Sequence, residues 1–310
     1  MGYLNLRRAL LPLIFIFSAL GAAAQTVHQE VSPGPFTGVA VSGDFELSLV
    51  SGETYGLTMD VSEEFAEFVS TEVVDSVLVI KVEDKKELSD IWKSFRGKNA
   101  PSPVFRARVS SPAALNSISI AGNGSLKALE AVCDTVSVAF TVKDNASVGT
   151  VSVASSKVEL NLSKKSSGEF RLDCDTLKVI SGGSSECTLR CSAASQVEME
   201  LSSNASVVFA GECEHISVAA KGTSKAIFNG TAPYAVYNLS GSADVNALNI
   251  KVKEANITMS GICSLMQGAS DWIFLNLSNG ATLTYSGTPQ IHIGNIKNSS
   301  VQRYEAGKRK

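Results

Sequence analysis

The sequence predicts an all-β fold: a parallel β-helix, or solenoid, of about 20 residues per coil, with a less regular β lobe on its N-terminal side. Three observations predict it. A small residue recurs at a nearly constant interval along most of the 310-residue chain. A pair of apolar residues separated by one position precedes it at a fixed distance. No segment between the repeats sustains the 3.6-residue apolar spacing of a helix.

The recurring small residues are Gly124, Ala146, Gly168, Ser185, Ala205, Ser224, Ala243, Cys263 and Ala281, at steps of 22, 22, 17, 20, 19, 19, 20 and 18 residues. Six and four residues before each marker stand Ile118/Ile120, Phe140/Val142, Met199/Leu201, Val218/Ala220, Tyr237/Leu239, Ile257/Met259 and Leu275/Leu277. Side chains alternate across a strand, so this spacing marks a strand with one buried face. Two coils fit imperfectly: Leu160/Leu162 is displaced by two residues, and Ser181 replaces an apolar residue after Val179. Two residues beyond the marker comes a second apolar column: Leu126, Val148, Phe170, Cys187, Val207, Ala226, Val245, Leu265 and Leu283. A third strand signal follows in several coils, as at Val136, Leu177 and Ile216. One such unit cannot bury its own apolar face, but copies stacked about 4.8 Å apart can. An antiparallel sandwich also offers short strands at half this period. It does not explain why one column keeps its residue class over nine repeats.

Residues 1–24 have the three parts of a secretory signal: Arg7 and Arg8, an apolar run from Leu10 to Ala19, and Ala22-Ala23-Ala24 before Gln25. The apolar run is short of the roughly 20 residues that span a bilayer, and no later segment is long and apolar enough to cross one. An exported chain is expected. Residues 25–112 read as the N-terminal β lobe, residues 113–296 as the solenoid, and residues 297–310 as a tail ending in Lys308-Arg309-Lys310. Within the lobe, Val39, Val41, Phe45, Leu47 and Leu49, then Leu57, Met59 and Val61, alternate as strands; residues 77–82 add another. Such strands could cap a solenoid end that would otherwise expose pairing edges. The charged stretch 83–103 could start a short helix at Ser89-Asp90, with Ile91, Trp92 and Phe95 on one side. Trp92 and Phe95 are then either anchors for a binding partner or aromatics packed over the lobe; the packing reading is favoured.

Removing residues 1–24 takes away two of the 27 basic residues and none of the 30 acidic ones, leaving 25 against 30 and a net charge of −5. That balance, with a lone basic cluster at the terminus, argues against nucleic acid as a partner. Hydrophobic residues are 44% but aromatics only 7%, so the core draws on Val, Leu, Ile and Ala, as suits many short strands.

The opening "PFTGVAVSGDFELSLVSGE", the strand "VLVIKV" and the iterated "SISIAGNGSLKAL" units resemble a bacterial domain family of unknown function also labelled auto-transporter adhesin, head GIN domain. Its members are frequent in Gram-negative bacteria of the Bacteroidetes type. The resemblance covers nearly all of the mature chain. It rests on turn and strand pattern and carries over no functional residue. It implies a right-handed parallel β-helix and an envelope location: periplasm, outer-membrane surface or secreted.

Enzymatic β-helices, such as those acting on pectin-like acidic polysaccharides, gather carboxylates on one face. The nearest pattern here is "CDTV", "CDTL" and "CEHI", which would set Asp134, Asp175 and Glu214 in one column on alternate coils. Neighbours would then be about 9–10 Å apart, near the upper end of the carboxylate separation in inverting glycosidases. Solvated turn carboxylates are the commoner reading of such residues. The three histidines, His28, His215 and His292, are scattered in the repeat register, which supports neither a metal site nor a catalytic triad. No pattern for a cofactor stands out.

Of six cysteines, Cys133, Cys174 and Cys213 share a column but sit two coils apart, beyond the usual reach of a disulfide. Cys191, on the coil between Cys174 and Cys213, could reach either, so these three are the disulfide candidates. Cys187 and Cys263 fall in core columns, where buried thiols are expected. The Asn-X-Ser/Thr triplets at Asn123, Asn145 and Asn204 fall at turns, with Asn expected to serve the left-handed backbone. The expected function is an exported, non-catalytic binding module of the adhesin kind, for a glycan or protein ligand at the envelope. The alternative is a pectinase-like lyase or hydrolase using Asp134, Asp175 and Glu214.

Overall fold

The structure, a computed structural model, describes residues 14–16, 25–83, 86–95 and 102–304. The expected signal segment, save a short strand Ile14–Ile16, lies outside the described residues, as do part of the charged stretch 83–103 and the tail from residue 305.

Two walls of parallel strands stack coil upon coil. Wall A runs through Gly38–Ser42, Ser117–Ala121, Ser137–Val142, Lys157–Leu162 and Thr176–Ser181. It continues through residues 196–201 and 215–220 to Tyr234–Gly241, Glu254–Gly261, Trp272–Ser278 and Gln290–Lys297. Wall B runs from Glu46–Ser51 through Ser125–Leu129, Ser147–Ala154 and Ser167–Asp173 to Ser300–Arg303. Long strands Glu186–Leu201 and Ser206–Ala220 pass from wall B into wall A without a break. The result is a parallel β-solenoid of about ten turns with a spacing of about 19 residues.

Register-matched inward side chains stack in ladders. Phe140, Leu160, Val179, Met199, Val218, Tyr237, Ile257 and Leu275 form one on wall A, every member essentially inaccessible. Burying each such side chain is worth roughly 1.5–3 kcal/mol, and this repeated term holds the coils together.

The corner from wall A to wall B explains the repeat marker. Two residues before each marker the backbone turns left-handed, at Gly122, Asp144, Lys164, Gly183, Ser203, Gly222, Gly241, Gly261 and Asn279. The marker itself is buried inside the corner, where only a small side chain fits. In the third coil the marker is Ser166, not Gly168: Ser166 is buried, and its Oγ accepts the Ser163 N–H at 3.0 Å. Leu160/Leu162 then stands at the regular distance and the apparent slip disappears. Gly168 belongs to the inward column of Val148 and Cys187. A Cβ there would lie 2.5 Å from the Phe170 ring, which fills the space instead. The other irregular coil is polar by design of its corner: the Ser181 and Ser185 hydroxyls meet at 2.8 Å, and Ser185 donates to the Gly182 carbonyl. Asn123, Asn145 and Asn204 do not serve the left-handed backbone; each follows the residue that does. The amides of Asn123 and Asn145 ladder between coils, Asn145 Nδ2 donating to Asn123 Oδ1 at 3.0 Å and Asn123 Nδ2 to Asp44 Oδ1 at 2.8 Å, while Asn204 Oδ1 accepts the Thr223 hydroxyl.

The N-terminal strands are out of spatial order. Val77–Val82 and Phe105–Ser111 pair parallel with Gly38–Ser42 and Glu46–Ser51, forming the outermost coil. The strands Gly38–Ser42 and Glu46–Ser51 thus lie between it and the coil of Ser117–Leu129. Antiparallel partners close the outermost edge: Val69–Val74 on Val77–Val82, and Gly56–Ser62 on Phe105–Ser111. Thr26–Val31 then pairs with Gly56–Ser62, and Ile14–Ile16 with Thr26–Val31. The turn Asp75-Ser76 has both φ angles positive, as the two-residue hairpin between Val74 and Val77 requires. At the opposite end, Gln290–Lys297 has no successor among the described residues, and inward Ile293 is 61% exposed.

Candidate binding face and cysteine cluster

The outer face of wall A changes character along the solenoid. On the earlier coils it carries charge: Lys178 Nζ lies 3.9 Å from Glu198 and 3.5 Å from Glu200. A shallow cleft of about 310 Å³ follows, lined by residues that include Ile180, Glu200, Ser202, Lys221, Asn238 and Ser240.

On the later coils the column of Lys178 and Glu198, and the column of Thr176 and Gln196 beside it, carry rings. His215 and Tyr234 are register partners, stacked with centroids 4.9 Å apart and planes 17° apart. Two coils on, His292 stacks on Phe274 at 5.1 Å and 15°, and meets Trp272 at 4.9 Å. Trp272 and Phe274 are 6.4 Å apart with planes 23° apart, so His292 covers both. Strand pairing sets these contacts, since residues in one column stand one coil spacing apart. Beside the rings runs an amide and hydroxyl row: Asn238, Thr258 and Asn276 in register. Tyr234, Val236 and Phe274 are each about two-fifths exposed. An outward strand position ordinarily carries a polar residue, so aromatic residues at these positions were the available signal. Sequence reasoning followed the inward columns and missed it.

The three carboxylates fare differently. Asp175 and Glu214 each stand one residue before register-related strand positions, Thr176 and His215, with Ser195 on the coil between. Asp134 stands three before the equivalent Ser137, so it is displaced from their column by two residues. Its Oδ1 accepts the Val136 N–H at 2.7 Å and the Ser137 N–H at 3.2 Å, a turn cap. Asp175 lines an open cleft of about 280 Å³ with Thr135, Ser156, Asp173 and Cys174; Glu214 does not. Among the described residues no group of three His, Cys, Asp or Glu side chains could hold a metal ion.

Trp92 and Phe95, on and just after the helix Lys86–Ser94, are half-buried against Phe65, at 4.7 and 5.3 Å between centroids, and Trp92 stacks on Phe105. Their rings complete the aromatic core of the cap. His28 bonds Asp60 through Nδ1 at 2.7 Å. Of the cysteines, Cys174 and Cys191 face each other with Sγ atoms 4.0 Å apart. Their hydrogen bond raises the Cys174 pKa and lowers that of Cys191. Burial pushes Cys213 up to about 12 and Cys133 to about 11.

Fold and face together define a β-solenoid scaffold with one decorated wall. The family profile described as "Putative auto-transporter adhesin, head GIN domain" matches residues 35–207 and 183–289, and the chain belongs to that family. No curated protein matches it. Similar solved structures include a lipid binding protein, so titled as putative, from Parabacteroides distasonis ATCC 8503. It is 14% identical, with 90% of this chain and 97% of that chain covered and a TM-score of 0.48. Another is a putative adhesin from Parabacteroides merdae ATCC 43184, 12% identical, covering 90% and 96%, with a TM-score of 0.45. The adhesin-type family fits an extracellular or envelope location, and no helix among the described residues is long and apolar enough to cross a membrane.

Proposed function

We propose that the protein is an exported, non-catalytic, adhesin-like module of the cell envelope that binds a glycan through the later coils of wall A. The observation that carries this reading is the cluster of Trp272, Phe274 and His292, with Tyr234 two coils and His215 three coils before Trp272, beside the Asn238–Thr258–Asn276 row. Aromatic C–H and π surface takes up the apolar patches of a sugar ring, while amides and hydroxyls pair with its hydroxyls. A solenoid repeats this arrangement along its axis, as a chain-like ligand requires. The lyase or hydrolase reading needs Asp134, Asp175 and Glu214 to converge. The turn cap at Asp134 and its two-residue displacement weigh against that.

Screening the mature protein on an array of envelope and host glycans is expected to yield a ligand. Trp272→Ala with Phe274→Ala should weaken its binding at least tenfold, while Trp92→Ala leaves it unchanged. Absence of any glycan ligand, or a ligand indifferent to the double substitution, would overturn the assignment.

A further inference from the structure

We propose that Cys174 and Cys191 form a redox-active pair, which closes to a disulfide between successive coils by exchange with a positively charged disulfide entering the cleft beside Cys174. The two sulfurs are already 4.0 Å apart and both side chains are buried. A disulfide needs them about 2 Å closer, an approach that side-chain rotation at the corner between walls can supply. Register explains the meeting. Cys191 pairs with Leu172 on the preceding coil, and Cys174 lies two residues beyond Leu172, where the chain bends out of Ser167–Asp173.

The other cysteines lack this arrangement. Cys213 stands opposite Ala194 rather than a cysteine. Cys263 donates to the Ser260 carbonyl at 3.5 Å, and Cys187 has Gly168 and Val207 as strand partners. Cys174 is also the member of the pair with a route to solvent, since it lines the open cleft of about 280 Å³. Asp173 and Asp175 line that cleft on either side of it. Their charge favours a cationic reagent over an anionic one, by an amount that salt screens.

The exchange runs in two steps. Cys191 has the lower pKa, but only Cys174 of the pair lines the cleft, so access sets the order: Cys174 sulfur displaces one sulfur of the oxidant, forming a mixed disulfide and releasing one thiol that carries the Cys174 proton. Cys191 sulfur then displaces the second thiol, which leaves with the Cys191 proton. The protein loses two protons and two electrons, and the oxidant is reduced to two thiols.

The test uses the reduced full-length protein and two oxidants, cationic cystamine and anionic oxidised glutathione. After oxidation, alkylation under denaturing, non-reducing conditions should label four of the six cysteines, and peptide mass mapping should join Cys174 to Cys191. The melting temperature should rise by about 5 °C, since the bond closes a 17-residue separation. Cystamine should react several-fold faster than oxidised glutathione at low salt, the gap narrowing at high salt. Cys191→Ser should stop at a cysteamine adduct on Cys174, and Cys213→Ser should still close. Labelling of all six cysteines in the treated wild type, or a bridge mapped to another pair, would overturn the pair. Equal rates with both oxidants would overturn the acidic entrance. The wild-type readouts need no variant to fold.

Discussion

Tyr237 shows what one residue can reveal about a stacked core. Its ring takes a place in the inward ladder between Val218 and Ile257. It is the largest fully buried side chain, and its hydroxyl has no hydrogen-bond partner among the described residues. Burial accordingly raises its pKa. Ser181 and Ser185 are the counter-example: two buried hydroxyls that satisfy each other. An unpaired buried hydroxyl costs about 1–3 kcal/mol, whereas the ring contributes packing that phenylalanine retains. Tyr237→Phe is therefore expected to stabilise the protein by about 1 kcal/mol, read as a higher denaturant midpoint at unchanged slope. A lower midpoint would mean that the hydroxyl is bonded after all. Nothing in the sequence distinguishes this tyrosine from an apolar ladder residue, because one alternating position looks like the next.

At the scale of elements, the cap is where sequence and structure part. Alternation made Gly38–Ser42, Glu46–Ser51, Gly56–Ser62 and Val77–Val82 legible as strands, whereas Val69–Val74, which has no fully buried residue, was not read from the sequence. Their order was not: the excursion through Gly56–Ser62 and Val69–Val74 returns to place Val77–Val82 outside Gly38–Ser42. Alternation reports which face of a strand is buried, not which strand lies beside it. The same limit hid the aromatic face, since Trp272, Phe274 and His292 belong to different columns or coils that only register brings together. The cap also carries a titratable contact, His28 on Thr26–Val31 bonded to Asp60 on Gly56–Ser62. The hydrogen bond to Asp60 raises the His28 pKa above 6.5, with Glu30 adding a smaller push. A folded pKa above the unfolded value means that the stabilisation is complete below about pH 6.5 and is lost as pH rises through the folded pKa. Both side chains are about two-fifths exposed, so its size is well under about 1 kcal/mol. An NMR titration should find the His28 imidazole titrating above 6.5 in the wild type and closer to it in Asp60→Asn. Identical titration curves would remove the contact from the cap.

The whole molecule is a one-dimensional stack, and its two ends are built differently. Each coil is stabilised by the coils on either side, so a coil with one neighbour loses about half of that support. Antiparallel strands and the aromatic cluster of Phe65, Trp92, Phe95 and Phe105 cover the N-terminal end. At the other end the ladder positions occupied by Leu275 and Leu277, both buried, pass to Ile293 and Ile296, which are exposed. Local opening should therefore start there. Native-state hydrogen exchange is expected to be fastest in Gln290–Lys297 and Ser300–Arg303, to slow through Trp272–Ser278, and to be slowest in the middle coils. Uniform protection along all coils would instead mark the solenoid as a single cooperative unit. The gradient bears on binding, because His292 sits on the last described coil while Trp272 and Phe274 sit on the one before. A ligand resting on all three rings would couple the loosest coil to its neighbour. Protection in Gln290–Lys297 should then rise on ligand addition more than anywhere else, and the rise should vanish in the Trp272→Ala, Phe274→Ala double variant.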